Sequence, residues 1–240
     1  MKIEVWSDFV CPFCYIGKRR LEEALEQFPH KENVEVIFRS YELDPNTPKN
    51  VNMTVNEALA EKYGMTIEKA KEMSAGVAEQ AASVGLDFHF EQMINTNTFD
   101  AHRLAHYGAE KGVGLQLTEA LLKANFTETK NLNSHEVLAE IAKEVGLDAQ
   151  EVLFVLQDEK KYANTVKRDQ MIAQQMGVRG VPFFVLNEKY SISGAQPSQT
   201  FLGALEKVWA EENQEPILQD LSVEQDASCG DDGCAIPTKE

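Results

Sequence analysis

Apolar and polar residues alternate at two places near the start of the chain, Lys2 to Ser7 and Val34 to Phe38, and the alternation predicts two strands. Between them Leu21, Ala24, Leu25 and Phe28 recur three and four apart, which predicts a helix over Tyr15 to Gln27. A loop with Pro45 and Pro48 follows, and from about Val55 to Met176 the period becomes helical almost throughout. Ile67, Ala70, Met73, Val77, Ala81 and Val84 fall on one face, as do Val137/Leu138, Ile141 and Val145. Gly64, Gly85, Gly112, Gly114 and Gly146 punctuate the run as helix ends or turns. The compact apolar run Gly180 to Leu186 then reads as a strand, and Tyr190 to Gly194 pairs with it through Asn187-Glu188-Lys189. Pro197 opens a last helix carrying Phe201, Leu202, Leu205, Val208 and Trp209.

The order is strand-helix-strand, a helical block, then helix-strand-strand-helix. That is an α/β arrangement, a thioredoxin-like fold with an inserted all-helical domain. It divides the chain into a split thioredoxin-like domain, 1–50 and 177–213, and an inserted helical domain, 51–165, with the connecting helix ending near 176. Residues 214–240 are left as an acidic tail. From 211 to 240 nine acidic side chains face one lysine, half of the chain's net charge of −16, and such a segment is expected to be extended or mobile.

With 43% hydrophobic and 26% charged residues over 240 positions, a full core is expected. The acidic balance argues against nucleic acid or an anionic membrane as partner, because phosphate would be repelled. No apolar run approaches the roughly 20 residues of a membrane span. Met1-Lys2-Ile3-Glu4 runs straight into a strand without an apolar signal region, so the expected location is cytoplasmic, where thiols are mostly kept reduced. Four cysteines in two close pairs then read as chemistry rather than as a structural framework.

The first pair is Cys11-Pro12-Phe13-Cys14, set between the first strand and the first helix. Two thiols at that spacing close and reopen a small disulfide ring, and the helix N-terminus stabilises a thiolate on the first. The competing readings are a static disulfide and half of a zinc site; the strand-turn-helix setting favours a redox motif of the thioredoxin kind. Pro12 suits a first helical turn, where its missing N–H would have no partner. His102 and His106 lie four apart on one helix face, but no H-E-x-x-H glutamate accompanies them, so packing is preferred to zinc. Asn97 or Thr98 is an N-cap candidate for that helix. Lys18-Arg19-Arg20 reads by default as a solvated helix face.

Trp6 to Gly17 resembles the active-site segment of the DsbA-like oxidoreductases, specifically their cytoplasmic FrnE-type branch. So do Arg39 to Pro45, Asn97 to Leu104, and Gly180 to Phe184 followed by Ser193 to Pro197. Together they span residues 2 to about 210. The resemblance implies thiol–disulfide exchange with disulfide-containing proteins or small thiols, with Cys11 as nucleophile and Cys14 as resolving thiol. It implies no bound cofactor or metal, although glutathione is a candidate co-substrate. Glutathione-dependent isomerases and kappa-class glutathione transferases share the architecture, and typically carry Ser where this chain has Cys11. In this fold the Val181-Pro182 bond is expected to be cis, leaving the Val181 backbone free to bind an extended substrate. Phe13 and His102 join Val181 and Pro182 as expected substrate contacts. Phe13 adds no positive charge beside Cys11, so a couple less oxidising than the roughly −120 mV of periplasmic DsbA is expected.

The second pair, Cys229 and Cys234, flanks Gly-Asp-Asp-Gly in the acidic tail. A zinc site shared with the first pair, an inert disulfide, and redox exchange with the first pair are all readings of it. Exchange is preferred: Asp231 and Asp232 raise the tail thiol pKa values, which makes their disulfide harder to reduce. The 16 or so residues between Asn213 and Cys229 span roughly 20–24 Å, enough to reach a cleft on the same domain.

Overall fold

Ile3 and Val5 are buried in the middle of a four-stranded sheet, and the chain folds outward from them. In the computed structural model, which describes residues 1–49 and 53–213, β1 (Lys2–Ser7) pairs in parallel with β2 (Glu35–Ser40) and antiparallel with β3 (Phe183–Leu186). β4 (Tyr190–Ser193) pairs antiparallel with β3, so the strand order is β2-β1-β3-β4. The β3–β4 turn uses Asn187 and Glu188 at positive φ, 49° and 56°. β2 runs to Ser40, two residues past the alternation that announced it, because Ser7 pairs with Ser40 and the Ser7 carbonyl still accepts the Tyr41 N–H.

α1 (Pro12–Gln27) starts three residues earlier than the expected Tyr15, since Pro12 is itself in the first turn. α2 (Val55–Tyr63), α3 (Ile67–Ala82), α4 (Phe99–Glu110), α5 (Gly114–Phe126), α6 (His135–Glu144) and α7 (Ala149–Gln157) follow β2. α8 (Ala163–Gln175) leads back to β3, and α9 (Ser198–Glu212) closes the described chain on α1. Among the described residues no helix is long and apolar enough to cross a membrane. The tail cysteines Cys229 and Cys234 lie outside the described residues.

The face that the periodicity marked on α3 is buried in part, with Val77 and Val84 packed partly against the helical core. Ala70, Ser74 and Ala81 are buried, whereas Ile67 and Met73 are 42% and 49% exposed. Small side chains let α3 approach α2, where the Ser74 hydroxyl donates to Asn56 Oδ1 at 2.7 Å. The larger apolar residues flank that line.

Two apolar cores meet along α1. Leu21, Ala24 and Phe28 in its second half pack on the sheet with Ile3, Val5, Phe184, Phe201 and Leu205. Tyr15 and Ile16 in its first turns belong to the helical core, with Phe88, Leu104, Leu117, Leu121 and Phe126. Helices α4 and α5 cross so closely that a Cβ at Gly108 would lie 2.4 Å from Leu117 Cδ2.

Arg103 on α4 is buried and holds the end of α7. Its guanidinium donates to the carbonyls of Val155, Leu156, Asp158 and Lys161 and to Asp100 Oδ1. The carbonyls of Val155 and Leu156 are among those that the end of α7 leaves without helical partners. Arg103→Leu strands them and removes one of the cations around Asp100. It should cost about 3–5 kcal/mol in equilibrium urea unfolding, the range for breaking one partner out of a buried charge network. A loss below about 1 kcal/mol would show that water replaces the guanidinium.

Candidate active site: a dithiol at the end of β1

β1 ends at Ser7 and α1 begins at Pro12, so four residues, Asp8 to Cys11, make the turn. The Cys11 N–H donates to the Asp8 carbonyl at 3.2 Å, and the Cys14 N–H donates to the Cys11 carbonyl at 3.0 Å. Cys11 is the N-cap of α1, with extended backbone (φ −89°, ψ 110°) and no side-chain cap bond. Its sulfur therefore stands at the positive end of the helix. Both thiols are free and buried, at 4% and 2% exposure, while Phe13 between them is 38% exposed. Burial pushes the Cys14 thiol well above its ordinary value, and the neighbouring Cys11 raises it further. The Asp8 N–H, 3.4 Å from Cys14 Sγ, and the Ser7 hydroxyl pull the other way.

The Val181–Pro182 peptide bond is cis, and the Cys11 thiol donates to the Val181 carbonyl at 3.4 Å. The Val181 backbone is thus not wholly unpaired: its carbonyl meets the thiol, and its N–H has no partner among the described residues. The Pro182 ring packs on α1 at Gly17, where an added Cβ would sit 3.0 Å from Pro182 Cγ. Glycine at 17 is what lets the proline loop approach the dithiol.

Behind the thiols lies Asp8, 1% exposed, which the sequence reading passed over. Its Oδ2 accepts the Leu43 N–H at 2.7 Å, and its Oδ1 is 3.2 Å from His102 Nε2. His102 is buried, tilted on Phe9 at 4.8 Å between ring centroids. It was expected to touch substrate; its Nε2 faces Asp8 Oδ1, and the residue also lines the cleft between β2 and α4. His106 does not converge with it, because its Nε2 meets Ser40 Oγ at 2.9 Å and Asp169 Oδ2 at 3.2 Å. Thr98 is the N-cap of α4 without a side-chain bond, whereas Asn97 Oδ1 accepts the Phe99 N–H at 3.1 Å. Asn125 of α5, also buried, donates to the Phe9 carbonyl at 2.9 Å. The signal for Asp8 was there in outline: a carboxylate between an apolar strand and a C-x-x-C is placed where water is scarce.

Lys18-Arg19-Arg20 is not a solvated face. Lys18 is 5% exposed and pairs at 2.5 Å with both Glu22 and Glu119, and Arg19 pairs with the same two carboxylates. Arg20 donates to the Ala195 carbonyl, and the Tyr15 hydroxyl to Glu119 Oε1 at 2.6 Å. The cluster fastens α1 to α5.

A free dithiol across a strand-to-helix turn, on a sheet of this topology, is a thioredoxin-like arrangement. The chain belongs to the family of the DSBA-like thioredoxin domain, whose model matches residues 2–206. It is similar to the crystal structure of a probable DsbA oxidoreductase from Streptomyces coelicolor, 42% identical over 99% of this chain and all of that one, with a TM-score of 0.84. Two more distant structures share the fold. One is 2-hydroxychromene-2-carboxylate isomerase, 17% identical with a TM-score of 0.67 over 88% of this chain and 98% of that one. The other is the cytosolic disulfide reductase DsbM from Pseudomonas aeruginosa, solved with GSH, 14% identical with a TM-score of 0.60 over 87% and 99%.

Glu119 yields a prediction with a definite sign. Burial alone would raise its carboxyl, but hydrogen bonds from Arg19 and Lys18 outweigh it and bring it from 4.5 down to about 2. A carboxyl depressed on folding stabilises the fold above its unfolded value and loses that contribution as pH falls toward the folded one. Glu119→Gln should therefore destabilise by about 1–2 kcal/mol near neutrality, discounted for a side chain partly open to solvent. The gap to wild type should close between about pH 4.5 and 2 in urea unfolding. A gap that is constant with pH would mean that packing, not charge, links the two helices.

Proposed function

We propose that the protein is a thiol–disulfide oxidoreductase acting on disulfide-containing proteins or small thiols, in a compartment where thiols are held reduced. Cys11 attacks a substrate disulfide, forming a mixed disulfide and expelling one substrate thiolate. Cys14 then attacks Cys11, the mixed disulfide breaks, and the second substrate thiolate leaves. Two electrons pass from the dithiol to the substrate, and reversal oxidises a substrate dithiol. The observation that carries the reading is the pair of free thiols at the start of α1, one at the helix N-terminus and facing the Val181 carbonyl, the other sealed behind it.

Phe13, exposed beside Cys11, and the main chain at Val181 and Pro182 are the surfaces a substrate meets first. A thiolate at Cys11 has no proton to donate, so ionisation releases the Val181 carbonyl for an extended peptide to pair with. His102 acts through Asp8 as a positioning residue. Glutathione serves as the small-thiol co-substrate, a role that accords with the fold shared with a disulfide reductase solved with GSH. The tail pair Cys229 and Cys234 passes electrons to the Cys11–Cys14 disulfide, a branch supported by the acidic residues between the two thiols.

Reduction of insulin with a dithiol as electron donor tests the assignment. Cys11→Ser should lose at least about 100-fold of the rate, as expected for removing a covalent nucleophile, and Cys14→Ser should accumulate mixed disulfide on Cys11. Activity that survives Cys11→Ser would exclude the dithiol mechanism and point to a glutathione-dependent isomerase or transferase. In the same assay a Cys229→Ser/Cys234→Ser protein should slow; an unchanged rate would remove the tail from the pathway.

A further inference from the structure

From Tyr41 to Lys49 the chain forms neither helix nor strand, yet it is tied down along its length. The Tyr41 N–H donates to the Ser7 carbonyl at 3.2 Å, and the Leu43 N–H to Asp8 Oδ2 at 2.7 Å. Further on, the Asn97 amide donates to the Thr47 carbonyl at 2.9 Å, and Lys49 pairs with Asp100 at 2.6 Å. Asp8, Asn97 and Asp100 are all buried. Polar side chains from the dithiol turn and from the start of α4 thus fix one surface loop. Loops held in this way by a rigid scaffold are where binding residues concentrate.

What the loop presents is Leu43. Its N–H is anchored inward, but the residue is 43% exposed. A lone exposed leucine is ordinary on a protein surface. This one stands at the carboxyl end of the sheet, where β1 leads into the dithiol turn. The residue that holds it, Asp8, also gives its N–H to Cys14 Sγ at 3.4 Å and accepts the Cys11 N–H at 3.2 Å. Val181 and Pro182 lie on the other side of β1, just ahead of β3. The two neighbours of a central strand are about 10 Å apart, a distance that about three residues of extended chain cover. Phe13, 38% exposed, belongs to the turn between them. Charge narrows what Leu43 can take. Glu42 on one side accepts from Gln170 and pairs with no cation among the described residues, and Asp44 stands on the other side. Carboxylates flanking the leucine disfavour an acidic segment.

We propose that Leu43 is a specificity-determining residue of the dithiol site: with Phe13 it seats an apolar side chain of an extended, non-acidic peptide whose cysteine Cys11 attacks. The inference rests on the dithiol mechanism given above. It makes the preferred substrate a polypeptide rather than a free small disulfide, because only a chain can carry a side chain to Leu43 while its disulfide lies over Cys11. The loop is pinned before the substrate arrives, so little ordering opposes the apolar contact. No bond is made or broken at Leu43, and the exchange step itself is unchanged.

Peptides with one cysteine in mixed disulfide with a chromogenic aryl thiol test this, the cysteine being flanked on both sides by Leu, Ser or Glu. The symmetrical aryl disulfide is the reference. Attack by Cys11 on the peptide sulfur expels the aryl thiolate, and single turnovers of the reduced protein give a limiting rate and a half-saturating concentration. The wild type should favour the Leu peptide over the Ser peptide about tenfold in their ratio, the low end for an apolar contact in a partly open site, and take the Glu peptide least well. Leu43→Ser should bring the preference for Leu to within about twofold of none, through the half-saturating concentration rather than the limiting rate. It should leave the reference within about twofold, and Leu43→Met, which keeps an apolar side chain, should restore the preference. Leu115→Ser, at a leucine of similar exposure on α5, should keep it. Equal rates of the wild type on the Leu and Ser peptides overturn the seat without any variant. So does a preference that survives Leu43→Ser, or one lost equally in Leu115→Ser. If the wild type reacts with neither the peptides nor the reference, the dithiol mechanism fails, and the seat with it.

Discussion

A single buried carboxylate holds the site in register with the rest of the fold. Asp8 follows the last residue of β1, its N–H reaches the Cys14 sulfur, and its two oxygens hold the loop after β2 at Leu43 and α4 at His102. Hydrogen bonds to a charged group contribute about 1.5–3 kcal/mol each, and a buried carboxylate left without them costs more than that. The dithiol turn, the sheet edge and the helical block therefore move together or not at all. Asn125, bonding the Phe9 carbonyl from α5, adds a second tie across the same junction.

This junction explains why α1 is shared between two cores. Its first turns are packed in the helical block and its later turns on the sheet, so the helix that presents the thiols is clamped along its length. The Glu119 cluster fastens the same helix to α5 by charge, and Gly17 opens the space into which Pro182 fits. Rigid support suits thiol exchange, in which three sulfurs must come nearly into line and a misplacement of about 1 Å costs rate steeply.

Much of this was legible in the chain. Alternation at Lys2–Ser7 marked β1 to the residue, and the apolar run Gly180 to Leu186 marked β3, which begins three residues later at Phe183. Local patterns carry such information because strand period and turn chemistry depend on near neighbours. What was not legible depended on partners far along the chain. Lys18 looks solvated until Glu119, about a hundred residues away, arrives to pair with it. Nothing in the sequence shows that His102 Nε2 will face Asp8. The face of α3 was read only in part, because size was taken as burial: Ala70 and Ala81 of the expected face are buried and Ser74 joins them, while Ile67 and Met73 stay outside.

The central claim is that Cys11 and Cys14 form a reversible couple tuned by an uncharged Phe13. Equilibration of the purified protein across a series of glutathione redox buffers, with the Cys11–Cys14 disulfide quantified after acid quenching, measures it directly. The account predicts a reversible two-electron transition at a potential clearly more negative than roughly −120 mV. A potential at or above that value, or thiols that never form the disulfide across the series, would contradict it.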